Sequence, residues 1–148
     1  MVKTSIIYKG QLRCTLTHGP SGSVIQTDAP KDNMGKGEAF SPTDLVAAAL
    51  GSCMLTVMGI AAAKHNIDLK GSAVEVSKEM ITTPVRCIGK INVILNMAPG
   101  IPQDKRSMLE AADHSCPVHK SLHPDLQTPI QFNFRQDFIA KPTLKNIF

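Results

Sequence analysis

The chain has 148 residues, a length that suits one domain with a real hydrophobic core, and we expect a single domain over residues 1–148. Hydrophobic residues make up 43% and charged residues 19%, a globular balance that argues against wholesale disorder. The net charge is +4, but lysines and arginines are scattered and aromatic residues are scarce, so nucleic acid is not an expected partner.

The first forty residues predict three short strands and then a loop. Partial alternation with β-branched residues over 3–17 indicates two strands around Lys9-Gly10, and Ser23–Thr27 indicates a third strand after a turn. Asp28–Phe40 is polar and contains glycine, so it is predicted as a loop. Loops held by rigid elements often carry function.

A long apolar segment, Leu45–Ala63, contains no charged residue. Ser41, Pro42 and Asp44 precede it as a capping hydroxyl, a first-turn proline and a first-turn acid, which predicts a helix from Pro42 to about His65. A helix apolar on every side must be covered by protein or by lipid. Its richness in Ala, Gly, Ser and Thr argues against a membrane span and favours a soluble protein whose partner subunit supplies part of the cover.

The second half of the chain predicts further strands and helices. They are strands over Gly71–Glu79 and Cys87–Met97, a helix from Gln103 to about Ser115, a helical turn over Val118–Leu122 and a last strand over Ile130–Phe138. Strands, a long helix, strands, a helix and a strand together indicate an α+β fold with an antiparallel sheet.

The chain has four cysteines and no C-x-x-C pair. The N-terminus shows no signal-peptide pattern, so we expect a cytoplasmic protein whose thiols rest reduced. Cys53, inside the long helix, is either inert core packing or a reactive thiolate. A reactive thiolate needs a nearby positive charge, for which Arg13 and Arg86 are candidates.

Cys116 allows three interpretations: packing at a helix end, a thiol that forms a disulfide with a distant partner, or a metal ligand with nearby histidines. The histidines are His114, His119 and His123, but no common zinc spacing fits them, so we expect no metal. Glu38, in the loop before the long helix, is a solvated charge or a residue that orients an arginine.

Five short motifs are spread along the chain. They are Tyr8-x-Gly10-x-x-Arg13, Thr27-Asp28-Ala29-Pro30, Gly37-Glu38-x-x-Ser41-Pro42-Thr43-Asp44-Leu45, Ala48-Ala49-Leu50-Gly51-Ser52-Cys53 and Cys116-Pro117-Val118-His119-Lys120-Ser121-Leu122. Together they resemble the osmotically inducible protein C / organic hydroperoxide resistance (OsmC/Ohr) family over about residues 3–138.

The resemblance implies antiparallel sheets packed around a long buried central helix, in an intertwined homodimer with its active sites at the interface. It also implies a cofactor-free peroxidase that reduces organic hydroperoxides. Cys53 would be the attacking thiolate and Cys116 the resolving cysteine, with a lipoyl-type or other dithiol as reductant. Arg13 would stabilise the thiolate and polarise the peroxide.

One position departs from the organic-hydroperoxide branch, which carries a glutamate directly after the helix-opening proline to hold the arginine. Here that position is Thr43, and Glu38 and Asp44 are the candidates to replace it. The departure indicates a less characterised branch and leaves an alternative open, a non-enzymatic redox sensor or ligand-binding dimer with little turnover. We further expect Leu50, Met54 and Met58 to line an apolar substrate pocket.

Overall fold

A computed structural model describes residues 1–135, apart from the side chain of Asp113, and contains two three-stranded sheets around one long helix. The elements are β1 (Thr4–Gly10), β2 (Arg13–His18), β3 (Val24–Asp28), α1 (Pro42–Ala63), β4 (Ala73–Ile81), β5 (Cys87–Met97), α2 (Gln103–Ala112), α3 (Pro117–Ser121) and β6 (Ile130–Phe134). Of the last predicted strand, residues 136–138 lie outside the described residues.

Helix α1 begins where the sequence places its start. The Ser41 hydroxyl accepts a hydrogen bond from the Asp44 amide (3.1 Å), and the Asp44 carboxylate accepts one from the Ser41 amide (2.7 Å). Pro42 occupies the first helical turn, where its missing N–H costs nothing. This reciprocal capping satisfies two otherwise unpaired backbone donors and confirms the predicted helix start.

Helix α1 packs against the second sheet (β4, β5 and β6), and this contact forms the core. Its buried face comprises Ala47, Leu50, Gly51, Met54, Met58 and Ala62, and the facing strand β5 buries Ile91, Val93, Leu95 and Met97. Leu50, Met54 and Met58 are fully buried, so the expectation that they line a pocket open to substrate is wrong for the single chain.

Gly51 sets how closely α1 approaches β4. A Cβ atom placed there would lie 2.9 Å from Val76 Cγ1 and 3.2 Å from Val74 Cγ1. Because real Cβ atoms do not make contacts as short as the first, any side chain at this position would push the helix and the strand apart.

One strand pairing differs from the antiparallel expectation. β4 and β5 pair antiparallel, but β6 runs parallel to β5, with Val93 opposite Ile130. A parallel neighbour requires a long crossover, which α2, a short 3-10 turn and α3 supply. The second predicted helix is also shorter than expected: it ends at Ala112 rather than near Ser115, and a 3-10 turn follows it.

The first sheet, made of β1, β2 and β3 in antiparallel order, is covered far less than the second. Ile6, Ile7 and Tyr8 keep at least 60% of their surface exposed, and Val24 and Ile25 remain about half exposed. Helix α1 also leaves Ile60 exposed and is long and apolar enough to cross a membrane by length and composition alone. A core helix of a soluble protein passes the same test, so this criterion does not separate the two cases.

Candidate functional site

Two of the predicted cysteines meet in the structure. Cys53 projects half-buried from α1, and Cys116 lies fully buried directly before α3. Burial raises the pKa of the Cys116 thiol, and its hydrogen bond with Cys53 raises that pKa further. Cys116 is therefore held as a neutral thiol in contact with the more accessible Cys53.

The local sequence explains where the Cys116 thiol points. Cys116 is the N-cap of α3 in extended conformation, and Pro117 follows it at the first helical position. Its sulfur accepts a hydrogen bond from the His119 amide (3.4 Å). The His119 ring is engaged elsewhere, with Nε2 at 2.8 Å from the Thr128 hydroxyl. The cap fixes the sulfur at the helix start, on the side that packs against α1.

The second cluster centres on Arg13 in the first sheet. Arg13 lies directly across from Asp28 in the β2–β3 pairing, and its Nη2 is 3.3 Å from Asp28 Oδ2. The same nitrogen donates to the Glu38 carboxylate. Asp28 is 1% exposed and Glu38 is 60% exposed, so one acid of this cluster is buried and the other is open to solvent.

Hydrogen bonds set the charges of this cluster. The hydrogen bond with Glu38, with a smaller contribution from Asp28, raises the pKa of Arg13 above its already high value. The Glu38 amide donates to Asp28 Oδ2 (2.9 Å) and, together with Arg13, lowers the pKa of Asp28 in spite of its burial. Arg13 and the buried Asp28 are thus both charged at neutral pH.

The loop before α1 brings Glu38 to this position through tight turns. The Gly35 amide donates to the Pro30 carbonyl and the Gly37 amide to the Ala29 carbonyl. A Cβ at Gly35 would collide with the Ala29 carbonyl, and Gly37 has a positive φ of 62°. Position 35 therefore requires glycine for the loop to fold back toward the first sheet, and position 37 favours it.

Asp44, the other candidate to hold the arginine, makes different contacts. Its Oδ1 is 2.6 Å from Lys78 Nζ on β4, and its Oδ2 caps Ser41. Partial burial acts to raise the pKa of Asp44, but the hydrogen bonds from Lys78 and Ser41 outweigh it and lower the pKa. A cavity of about 510 Å³ lies between Glu38 and Asp44, with Lys78 and Phe40 in its wall.

The predicted site residues therefore fall into two groups. Cys53 and Cys116 are together, and Arg13 and Glu38 are together, but within residues 1–135 of one chain no hydrogen bond or ion pair joins the two groups. Arg86, the other candidate cation, pairs with exposed Asp32.

The histidines near Cys116 do not converge on it. In the part of the chain that the structure describes, no three His, Cys, Asp or Glu side chains form a group that could hold a metal ion. Of the remaining thiols, Cys14 is half-buried in β2 and Cys87 is exposed at the start of β5.

Asp28 is the site residue that sequence reasoning missed. It was assigned to the polar loop, whereas it ends β3. A hint was present in the Thr27-Asp28-Ala29-Pro30 motif, but only the strand register places Asp28 opposite Arg13, and register depends on pairing that a single sequence does not state.

The sequence matches the model of a known family, described as OsmC-like protein, over residues 35–131. Among solved structures, a protein of Psychrobacter arcticus 273-4, named for osmotic stress induction and a detoxification response, is 39% identical. That match covers 90% of this chain and 96% of the other, with a TM-score of 0.85. No curated protein matches the sequence.

More distant solved structures share the fold. The organic hydroperoxide resistance protein OsmC of Legionella pneumophila is 16% identical, with a TM-score of 0.72 over 90% of this chain and 96% of its own. The organic hydroperoxide resistance protein OhrB of Bacillus subtilis is 17% identical, with a TM-score of 0.67 over 90% and 98%. The extent of the family match and the identity to the Psychrobacter protein show that this chain belongs to the family of OsmC-like proteins.

Proposed function

We propose that this protein is a cytoplasmic, thiol-dependent peroxidase that reduces organic hydroperoxides with Cys53 and Cys116. The observation that carries the proposal is the contact between a half-buried thiol on α1 and a buried, neutral thiol before α3. The names of the Legionella and Bacillus proteins, which share this fold, give the substrate class.

The chemistry needs only the two thiols and an external reductant. The Cys53 thiolate attacks the distal oxygen of the hydroperoxide and the O–O bond breaks, so Cys53 becomes a sulfenic acid, while the leaving alkoxide takes a proton from solvent and departs as the alcohol. Cys116 then attacks the sulfenic sulfur, loses its proton and forms the disulfide as water leaves. A dithiol restores both thiols by exchange and is itself oxidised to a disulfide.

A second copy of the chain would complete this site. Arg13 is paired with Asp28 and Glu38 and makes no hydrogen bond to the cysteines of its own chain within residues 1–135. The homodimer we propose brings the arginine of one copy to the cysteines of the other. It would also cover the exposed side chains of Ile6, Ile7 and Tyr8 in the first sheet.

The uncovered face of α1 suits such an interface. Its exposed positions recur at helical spacing and are mostly small: Ala49, Ser52, Thr56, Ile60 and Ala63. The Ser52 and Thr56 hydroxyls donate to carbonyls of their own helix, at 3.2 and 2.8 Å, so burying this face would not leave those donors unpaired. Small side chains allow two helices to approach closely.

A redox sensor or ligand-binding dimer with little turnover is the second candidate. It is favoured by Thr43, which provides no carboxylate for Arg13, and by Asp44, which is engaged by Lys78 instead. A sensor would undergo one oxidation per site, whereas an enzyme would consume many equivalents of peroxide.

The test is peroxide consumption with dihydrolipoamide as the dithiol, comparing cumene hydroperoxide with hydrogen peroxide. We expect multiple turnovers on the organic peroxide, none with Cys53→Ser, and loss of the intrachain disulfide with Cys116→Ser. Cys87→Ser is the matched control, because that thiol is exposed at the start of β5 and belongs to neither of the elements that carry the pair, and it should behave as the wild type. Oxidation that stops at one equivalent in the wild type would favour the sensor.

A further inference from the structure

We propose that Asp28 is the positioning residue for Arg13, and that it replaces the acid missing at Thr43. The contact between Asp28 and Arg13 does not depend on the proposed function, whereas its effect on peroxide turnover rests on that function.

Asp28 Oδ2 accepts two hydrogen bonds, one from Arg13 Nη2 (3.3 Å) and one from the Glu38 amide (2.9 Å). It therefore holds the guanidinium and also the backbone of the loop that carries Glu38. Arg13 and Asp28 are paired residues on adjacent strands, so the sheet itself fixes their spacing. The Glu38 carboxylate is fixed less firmly, because only the backbone of Glu38 is held by Asp28 and its side chain is mostly exposed.

The burial of Asp28 means that its charge needs a partner of opposite charge. A buried carboxylate is costly unless it is paired, and among the described residues the ion-pair partner of Asp28 is Arg13. Asp44, the rival acid, is paired with Lys78. Each of these two acids thus has its own cation, and the buried one belongs to the arginine.

The pair also has unused hydrogen-bonding capacity. Asp28 Oδ1 and Arg13 Nε are buried and make no hydrogen bond within residues 1–135. A carboxylate kept only to stabilise the fold is expected to have its oxygens satisfied, since buried polar atoms without partners are rare. Each member of the pair therefore keeps one buried polar atom that could take up a further hydrogen bond.

A purely structural role for Asp28 makes a different prediction. Asparagine at this position can still accept the Glu38 amide through its side-chain oxygen, but it cannot neutralise Arg13. If Asp28 only shapes the loop, Asp28→Asn should be mild. If it positions Arg13, Asp28→Asn should leave the guanidinium held through the mostly exposed Glu38 side chain, and therefore more mobile, even when the loop is intact.

The first measurement is hydrogen exchange of arginine Nη–H groups by NMR on ¹⁵N-arginine-labelled full-length protein. Arg13, whose Nη2 donates to the buried Asp28, should exchange more slowly than Arg86, whose Nη2 donates to the exposed Asp32. Asp28→Asn should remove this protection, and Asp32→Asn, the same change in the neighbouring loop, should leave Arg13 unaffected. Arg13 exchange as fast as that of Arg86 in the wild type would overturn the proposal without any variant.

The second measurement is turnover of cumene hydroperoxide with dihydrolipoamide. Misplacing a group by about 1 Å can cost roughly 10²-fold in rate, and we expect a loss of that order for Asp28→Asn. Arg13→Ala should lose as much, the double variant should lose no more, and Asp28→Glu should recover part of the rate. Asp32→Asn should again match the wild type.

The outcomes separate the two proposals. A wild type that turns over no peroxide contradicts the proposed function, while the exchange of Arg13 still decides whether Asp28 anchors it. Wild-type turnover together with a protected Arg13 in folded Asp28→Asn would overturn the anchoring role. Should circular dichroism show that Asp28→Asn is unfolded, the wild-type exchange and the Asp28→Glu variant decide instead.

Discussion

The two sheets have equal numbers of strands but differ in what covers them. In the second sheet, Ile91, Val93 and Leu95 are at most 1% exposed beneath α1, whereas in the first sheet Ile6 and Ile7 are about 60% exposed. The second sheet holds the core of its own chain. The first sheet carries the ion-pair cluster of Arg13 but no core of its own.

Each half of the proposed site is formed within one chain, but the two halves do not meet there. The Arg13 cluster is fully formed by residues of one chain, with its charges paired and its loop closed. The cysteine pair is also formed by one chain, through the packing of α1 and α3. Neither cluster contacts the other, so the covering of the first sheet is the step on which the proposed activity depends.

The strongest way to break the comparison is to remove core volume from the second sheet. Leu50→Ala should lower the free energy of unfolding by about 2–5 kcal/mol, because Leu50 is fully buried between α1 and the sheet. Urea denaturation followed by circular dichroism measures this. Ile6→Ala in the first sheet, at high dilution, should cost no more than about 0.5 kcal/mol. Equal losses would mean that the first sheet is already covered within one chain.

A charge on the exposed face of α1 should act on association instead of on folding. Ile60→Asp places an uncompensated carboxylate where we propose the second copy packs, and we expect at least a tenfold weaker dimer, about 1.4 kcal/mol. Sedimentation velocity over a range of concentrations measures this.

The matched control for this variant is Val85→Asp, a similarly exposed apolar residue in the β4–β5 hairpin. It should leave the association constant unchanged. A wild type that is monomeric at every concentration would contradict the dimer, and a wild type that stays insoluble without detergent would favour the membrane alternative.

The smallest expected effect is the pH dependence at the start of α1. The folded pKa of Asp44 lies below its ordinary value of 3.8, so its ionised form stabilises the native state. That contribution is complete above the unfolded pKa and is lost as the pH falls through the lower, folded pKa. For a pair this exposed it should stay below about 1 kcal/mol.

Urea unfolding at pH 7 and near pH 3 measures this contribution, and Lys78→Met should reduce the difference between the two. An unchanged pH dependence in that variant would mean that Ser41, rather than Lys78, controls the ionisation of Asp44.

Features that depend on residues close together in the chain were predictable from the sequence. The start of α1 follows from Ser41, Pro42 and Asp44, and β5 was placed at its observed bounds from alternation alone. The α+β class and the family followed from such local features. Site residues named by the resemblance remain predictions of role, although the structure places Cys53 beside Cys116.

Features that depend on pairing between distant residues were not predictable. The parallel placement of β6 requires knowledge of how the crossover returns, and the partner of Asp44 depends on Lys78, which lies on another element. The same holds for Asp28, whose partner Arg13 is set by the pairing of β3 with β2. Alternation places a residue on one face of a strand but does not say which residue faces it.

The close packing at Gly51 limits which residues the chain can accept at this position. Gly51 lies two residues before Cys53, where α1 lies close against Val74 and Val76 of β4. A larger residue would shift the helix and so displace the Cys53 sulfur relative to Cys116, altering reactivity together with stability. Mutation of position 51 to any other residue is therefore expected to lower stability and, under the proposed function, to lower the rate of peroxide reduction as well. The cause is distance alone, because the backbone there is ordinary helix that any residue could adopt.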